Sequence, residues 1–383
     1  MTCCIHLKNA SPFTDMERFR LLCFLILLVS VIGCRNNPGY IRVVEVRNVP
    51  VSPVSATVLV DSISPDPAQI GYYDNHLLIR DTYVPEGEGQ LIFYDLKTGS
   101  RTSCIHKGRG PGETIGFYDF FVMEPQKELY LIDVTARKIL HAPVEDLMGG
   151  SVSLRDIASI DLSGFPKIFT ITGGDGKLYA TGMMEHDRFI KIGEEGGSET
   201  FGLYCPDIQQ KELTRMLNQA YMGRVVYEPK HDVLVMACRY ADQLEYYNPG
   251  SGEVFLAKGP MRFEPSYEIV DVRGQEVLAH NRDERRGYID ITTDGKDIYA
   301  LYCGRLDGEP NDTAASEVRI FDWKGRLLRR LDLGEDVDSI ALDDAGKKLY
   351  ALSSEGEVLH YDLSYQKRVV SHCDYCYHVM PTK

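Results

Sequence analysis

The chain has 383 residues, 44% hydrophobic and 26% charged. That is enough apolar material for one large or two ordinary domains, and the charge density excludes gross disorder. Acidic residues number 56 against 42 basic, a formal net charge of −14. Contacts to phosphates need an excess of Lys and Arg, so the composition excludes a nucleic-acid binder.

The first apolar segment, residues 21–33 (LLCFLILLVSVIG), follows Arg18 and Arg20. It has the length of the hydrophobic region of an export signal and is too short to span a bilayer. It ends in Val31, Ile32, Gly33 and Cys34, which resembles a bacterial lipobox. In that class of signal the cysteine sulfur is diacylated and the cysteine becomes the new N-terminus. The resemblance implies a signal peptide over residues 1–33 and a lipid anchor on Cys34. An ordinary signal peptide that contains a cysteine is the alternative. Met16 is the expected true start, because residues 16–33 alone make a signal of normal length. Arg35, Asn36 and Asn37 follow the cysteine. They supply neither an Asp for inner-membrane retention nor an acidic run for surface export. The expected address is the cell envelope, at the periplasmic face of the outer membrane. Without residues 1–33 the chain carries 39 basic and 54 acidic residues, near −15. Two acyl chains suffice to hold a soluble domain on a membrane. Residues 34–49 read as a lipidated tether and residues 50–383 as the folded domain.

The rest of the chain repeats. A short stretch of the type Lys-Leu-Tyr-Ala recurs with aligned positions 77, 129, 178, 233, 298 and 349, at gaps of 52, 49, 55, 65 and 51 residues. A strand-like stretch precedes each copy, at residues 69–72, 120–123, 168–171, 225–227, 288–291 and 339–342. Another follows, at residues 91–95, 139–142, 189–192, 244–247, 318–321 and 358–361. The turns before the aligned stretches are rich in Gly, Asp, Asn, Pro and Lys, as tight hairpins require. Six antiparallel units at this period predict an all-β fold, a six-bladed β-propeller. Part of residues 40–66 is expected to complete the last blade and close the ring. One inserted helix is predicted between residues 207 and 222, where Leu213, Met216, Leu217, Ala220 and Tyr221 recur at helical spacing. Its apolar stripe reads as a packing face on the propeller.

Several strings point to a family: Gly108-Arg109-Gly110-Pro111-Gly112-Glu113, Arg239-Tyr240-Ala241-Asp242, Gly287-Tyr288-Ile289-Asp290, Ile298-Tyr299-Ala300-Leu301-Tyr302 and Phe321-Asp322-Trp323-Lys324-Gly325. Together with the lipobox they resemble the TolB-like six-bladed propeller lipoproteins over roughly residues 50–365. The resemblance implies fold and export. It implies no reaction, since a fold does not fix a function.

Propeller geometry places the loops between second and third strands on one face with the blade-to-blade crossings. Arg109, Arg137, Arg188, Arg239 and Arg305 lie in such loops, and their planar forks suit an anionic ligand. Tyr240 and Tyr302 are candidates to stack on a sugar there. The alternative is local pairing with Asp133, Asp187, Asp242 and Asp307. The Gly-rich loop at 108–113 lacks the P-loop ending, so its glycines read as shaping a tight crossing. Gln69, His141 and His280 are scattered polar residues. Near the C-terminus His372, Cys373, Cys376 and His378 could hold zinc or, as Cys-x-x-Cys, act in redox chemistry. A tail strand with a local disulfide or free thiols is the alternative. Cys238 and Cys303, each five residues past an aligned position, are possible neighbours. No catalytic motif is present, and no cofactor or metal is expected.

These readings predict a non-enzymatic binding or scaffold module for a protein, peptide or anionic glycan, attached to a membrane. The alternative is a propeller hydrolase or lyase acting on carbohydrate or peptide, which needs Asp, Glu or His gathered in the channel.

Overall fold

The structure, a computed structural model, describes residues 41–149, 157–185, 187–193, 197–202 and 211–364. The aligned stretches are the second strands of six antiparallel blades, the last two joined into one sheet through Leu327–Leu342: His76–Asp81, Glu128–Asp133, Lys177–Gly182, Val233–Cys238, Ile298–Tyr302 and Lys348–Ser353. Nearly every residue in them is buried, on both faces. A strand flanked by two sheets needs apolar residues on both sides, which is why these runs are the clearest signal in the sequence. In the fourth copy the equivalent position is Leu234, one residue later than the aligned Val233. Arg224 there pairs with Ala237 as Gln69 pairs with Arg80 in the first.

The first strands are Pro67–Tyr73, Phe117–Met123, Ile168–Gly174, Gly223–Glu228, Tyr288–Thr293 and the second part of Leu327–Leu342. They ring the central axis. Third strands follow the predicted stretches in all six blades, and a fourth strand completes each sheet. Those fourth strands, such as Arg101–His106 and Ala158–Asp161, are largely exposed on the rim and carry too few apolar residues to stand out in sequence. Six core clusters fill the six seams between neighbouring blades, so packing is continuous around the ring.

The N-terminal part of the described chain closes the ring, as expected. Ala56–Val60 pairs antiparallel with Val358–Asp362 as the outer strand of blade 6. The same segment does more than the repeat predicts. Arg42–Glu45 adds a parallel strand outside blade 4, and Val51–Pro53 adds one outside blade 5. Residues 42–60 therefore form a strap over three consecutive blade edges. Pairing begins at Arg42, ahead of residue 50, where the sequence placed the start of the folded domain.

The inserted helix spans Lys211–Ala220. Its Met216 and Ala220 pack on Leu278 of a hairpin, Tyr267–Val272 with Gln275–His280, inserted between blades 4 and 5. That insertion accounts for the longest gap between repeats. A second helix, Val144–Gly149, joins the outer strands of blade 2 and buries Val144 and Leu147. Six residues with two core positions gave no readable helical period.

Candidate binding channel

Five of the six first strands carry a β-bulge near their start. The register shifts between Pro67 and Gln69, Phe117 and Asp119, Ile168 and Thr170, Tyr288 and Asp290, and Val337 and Ser339. Blade 4 pairs without a shift and places Gly223 there instead. A Cβ on Gly223 would lie 1.9 Å from the Ala237 carbonyl oxygen. A bulge re-aims the side chain that follows it. The residues that follow are Gln69, Asp119, Thr170, Arg224, Asp290 and Ser339, one polar residue from each blade.

Four of the six reach the next blade at the same height. Gln69 Nε2 donates to the Phe120 carbonyl at 3.1 Å. Asp119 Oδ2 accepts from Ile171 N–H at 3.2 Å, Asp290 Oδ2 from Ile340 N–H at 2.9 Å, and Ser339 Oγ from Ile70 N–H at 3.1 Å. These bonds satisfy buried groups and fix blade spacing. Arg224 is the exception. It reaches from blade 4 to blade 2 and donates to Asp119 Oδ1 at 2.5 Å, with 22% of its side chain still exposed. Burial works against its charge, but Asp119 and Asp290 more than offset this and hold its pKa above the usual guanidinium value. Burial raises the Asp290 carboxyl above the usual range, and Arg224 pulls it back only in part. Nearby Arg80, 6% exposed, is lowered to about 10 by burial and by the Arg224 charge.

The ring bounds a cavity of about 470 Å³ that runs along the axis to the turns between first and second strands. Tyr72, Phe121 and Tyr227 line its wall, and Glu124, Asp294, Asp343 and Asp344 line its far end. Gln69 Nε2 is held by two acceptors, Asp119 Oδ1 at 2.8 Å and the Phe120 carbonyl, so the amide orientation is determined. Its Oε1 is buried and has no hydrogen-bond partner among the described residues.

None of the seven residues expected at a channel mouth lines this cavity. Arg188 is 1% exposed and pairs with Glu245 at 3.0 Å, so it corrects the expectation of a mouth residue. It also donates to the Asn218 carbonyl at 3.1 Å and to the Tyr221 carbonyl at the end of the helix. Arg137 donates to the carbonyls of Leu162 and Phe165. Arg305 pairs with Asp336 at 2.6 Å and with the Asn311 and Ala314 carbonyls. Tyr302 is buried beneath the Arg319 guanidinium, 3.2 Å from its ring centroid. Tyr240 is buried against His280, with Arg239 and Arg286 over its ring. Arg109 is exposed on the crossing loop, where Gly108 and Gly110 curl against the Glu113 carboxylate. The loop glycines thus shape the crossing, as read from sequence. Of the five arginines, Arg188 and Arg305 pair with acids, Glu245 and Asp336, that are remote in sequence.

His141 pairs with Glu128 at 3.4 Å and His280 with Glu284 at 2.7 Å, both away from the channel. Cys238 and Cys303 are free thiols. Cys238 Sγ lies 3.2 Å from Glu245 Oε1, and burial with that carboxylate raises its pKa well above the usual thiol value. Cys34 and the group His372, Cys373, Cys376 and His378 lie outside the described residues. Among the described residues no cluster of His, Cys, Asp and Glu has metal-site geometry.

Asp119, Arg224 and Asp290 were the residues that sequence reasoning missed as a group. The usable signal was positional: each is a polar residue in the first half of the inner strand of its repeat.

Six four-stranded blades closed by an N-terminal strand, around a polar axial cavity, define a six-bladed β-propeller. The chain belongs to the TolB-like 6-blade propeller-like family, whose model matches residues 66–345. No curated protein matches the chain. Among solved structures it is similar to a member of the DUF4221 family from Bacteroides vulgatus, with TM-score 0.53, 10% identity, and coverage of 88% of this chain and 99% of that one. It is also similar to a Bacteroides fragilis protein described as exported, with TM-score 0.50, 13% identity, and coverage of 83% and 98%. A streptogramin B lyase superposes with TM-score 0.46, 12% identity, and coverage of 80% and 97%. At these identities the likeness is one of fold.

Proposed function

We propose that this protein is a binding module of the cell envelope, held on a membrane through a lipid on Cys34, whose axial cavity takes a small polar ligand. The observation that carries the reading is Arg224. It is the one ring residue that crosses the channel rather than tying to the next blade, and its guanidinium remains partly exposed in the cavity. A bulge-built ring that only spaced blades would not need it. The address follows from the lipobox resemblance, with an exported protein among the structures of similar fold. No helix among the described residues is long and apolar enough to cross a membrane.

A hydrolase or lyase working at the ring would need an uncommitted acid or base beside Arg224. Asp119 accepts from Gln69, Phe120, Ile171 and Arg224. Asp290 accepts from Ser339, Ile340 and Ile291. Carboxylates so engaged serve as fixed acceptors, which supports binding over proton transfer.

The test is a thermal-shift panel on the full chain and on Arg224→Met, using monosaccharides, amino acids, dipeptides, nucleosides and dicarboxylates. At least one class should stabilise the native chain and not the variant. The reading fails if every class treats the two proteins alike.

A further inference from the structure

The charge of the cavity is polarised along its axis. At the ring end Arg224 stands between Asp119 and Asp290 with Arg80 nearby, so the two cations and two carboxylates there roughly balance. At the turn end Glu124, Asp294, Asp343 and Asp344 line the cavity, and among the described residues no Lys or Arg lines it there. An anion would therefore meet repulsion at the turn end and no net attraction at the ring. The free hydrogen-bonding groups narrow the choice further. Gln69 is more than nine-tenths buried, lines the cavity and has an Oε1 with no partner among the described residues. Leaving such an acceptor unmet in a buried site costs free energy, so it marks where a ligand donor belongs. The exposed part of the Arg224 guanidinium asks for a neutral acceptor oxygen, because a carboxylate would add charge beside two others. Hydroxyl groups supply donor and acceptor together. Tyr72, Phe121 and Tyr227 give the wall aromatic surface of the kind that sugar rings cover.

Resting on the binding reading above, we infer that the cavity takes a neutral or cationic saccharide, with hydroxyls toward Gln69 and Arg224 and an amino group toward the acidic end. This reverses the sign of ligand that the loop arginines suggested.

Calorimetric titration of the full chain with glucosamine, glucose and glucuronate tests it. Glucosamine should bind about tenfold tighter than glucuronate, with glucose between, a difference of about 1.4 kcal/mol. Asp343→Asn with Asp344→Asn, which keeps acceptors for the turn, should narrow the gap between glucosamine and glucose by about threefold. Arg224→Met should weaken all binding by about tenfold. If glucuronate binds tightest and Arg224→Met abolishes it, the channel reading stands and the charge inference is overturned. If no saccharide binds while another class in the thermal panel depends on Arg224, the saccharide assignment is overturned alone. Saccharide binding indifferent to Arg224→Met overturns both.

Discussion

Replacing Arg188 by Met removes the cation of a fully buried ion pair. Arg188 is 1% and Glu245 0% exposed, with 3.0 Å between Nε and Oε2. In the variant the Glu245 carboxylate keeps only neutral donors, Gln243 Nε2 at 3.0 Å, Tyr247 hydroxyl at 2.8 Å and Cys238 Sγ at 3.2 Å. An orphaned buried charge costs about 3–5 kcal/mol. The carbonyls of Asn218 and Tyr221, where the helix ends, lose their cationic donor as well, which adds about 0.3–1 kcal/mol. With a urea slope of about 3 kcal/mol per molar, the midpoint falls by about 1–2 M. The chain has one tryptophan, Trp323, stacked on His231, and its fluorescence reports the transition. Adding Glu245→Gln should recover part of the loss, because the charge left behind is gone. A loss below about 1 kcal/mol, or a double variant no better than the single, would mean that Glu245 is not left as an orphaned buried charge.

Deleting residues 41–60 removes the outer strand of blade 6 and the parallel strands on blades 4 and 5. The urea midpoint should fall and limited proteolysis should cut in blade 6 first; an unchanged midpoint and digest would contradict the closure. Asp338 is raised from 3.8 to about 6 by burial and by Asp336 and Asp66. Its folded pKa lies above its unfolded one, so its contribution to stability is lost as pH rises from 3.8 through 6. Asp338→Asn should therefore raise the midpoint at pH 7 and leave it unchanged below pH 4, and an equal gain at both would count against it. Gly223→Ala sets a methyl against the Ala237 carbonyl oxygen and should cost about 1–3 kcal/mol, read by the same urea curves; a neutral result would mean blade 4 can bulge like the others. Cys238 should resist iodoacetamide at pH 8 in the native protein and react in urea, by site-resolved mass spectrometry. Rapid native labelling would contradict its raised pKa and burial.

The fold was legible because the inner three strands of each blade are packed on both sides and must be apolar. His76–Asp81 and Lys348–Ser353 show this plainly. The outer strands and the strap were not, since half-exposed rim strands such as Ser198–Phe201 tolerate polar residues. The site was less legible for a different reason. Arginines gathered in loops looked like a binding surface, yet Arg188 and Arg305 serve packing through partners remote in sequence, Glu245 and Asp336. Conversely, Arg224 and Asp119 are 105 residues apart, and a bulge before Asp119 and Gly223 before Arg224 bring them to one ring. A bulge leaves no motif, only a polar residue where the inner strand begins.

The most direct measurement is a crystal structure of the protein soaked with glucosamine. Density is expected in the axial cavity, with oxygens at Arg224 and Gln69 and the amine toward Asp343 and Asp344. Density confined to the opposite face, among the loops that carry Arg109, Arg239 and Arg305, would contradict it.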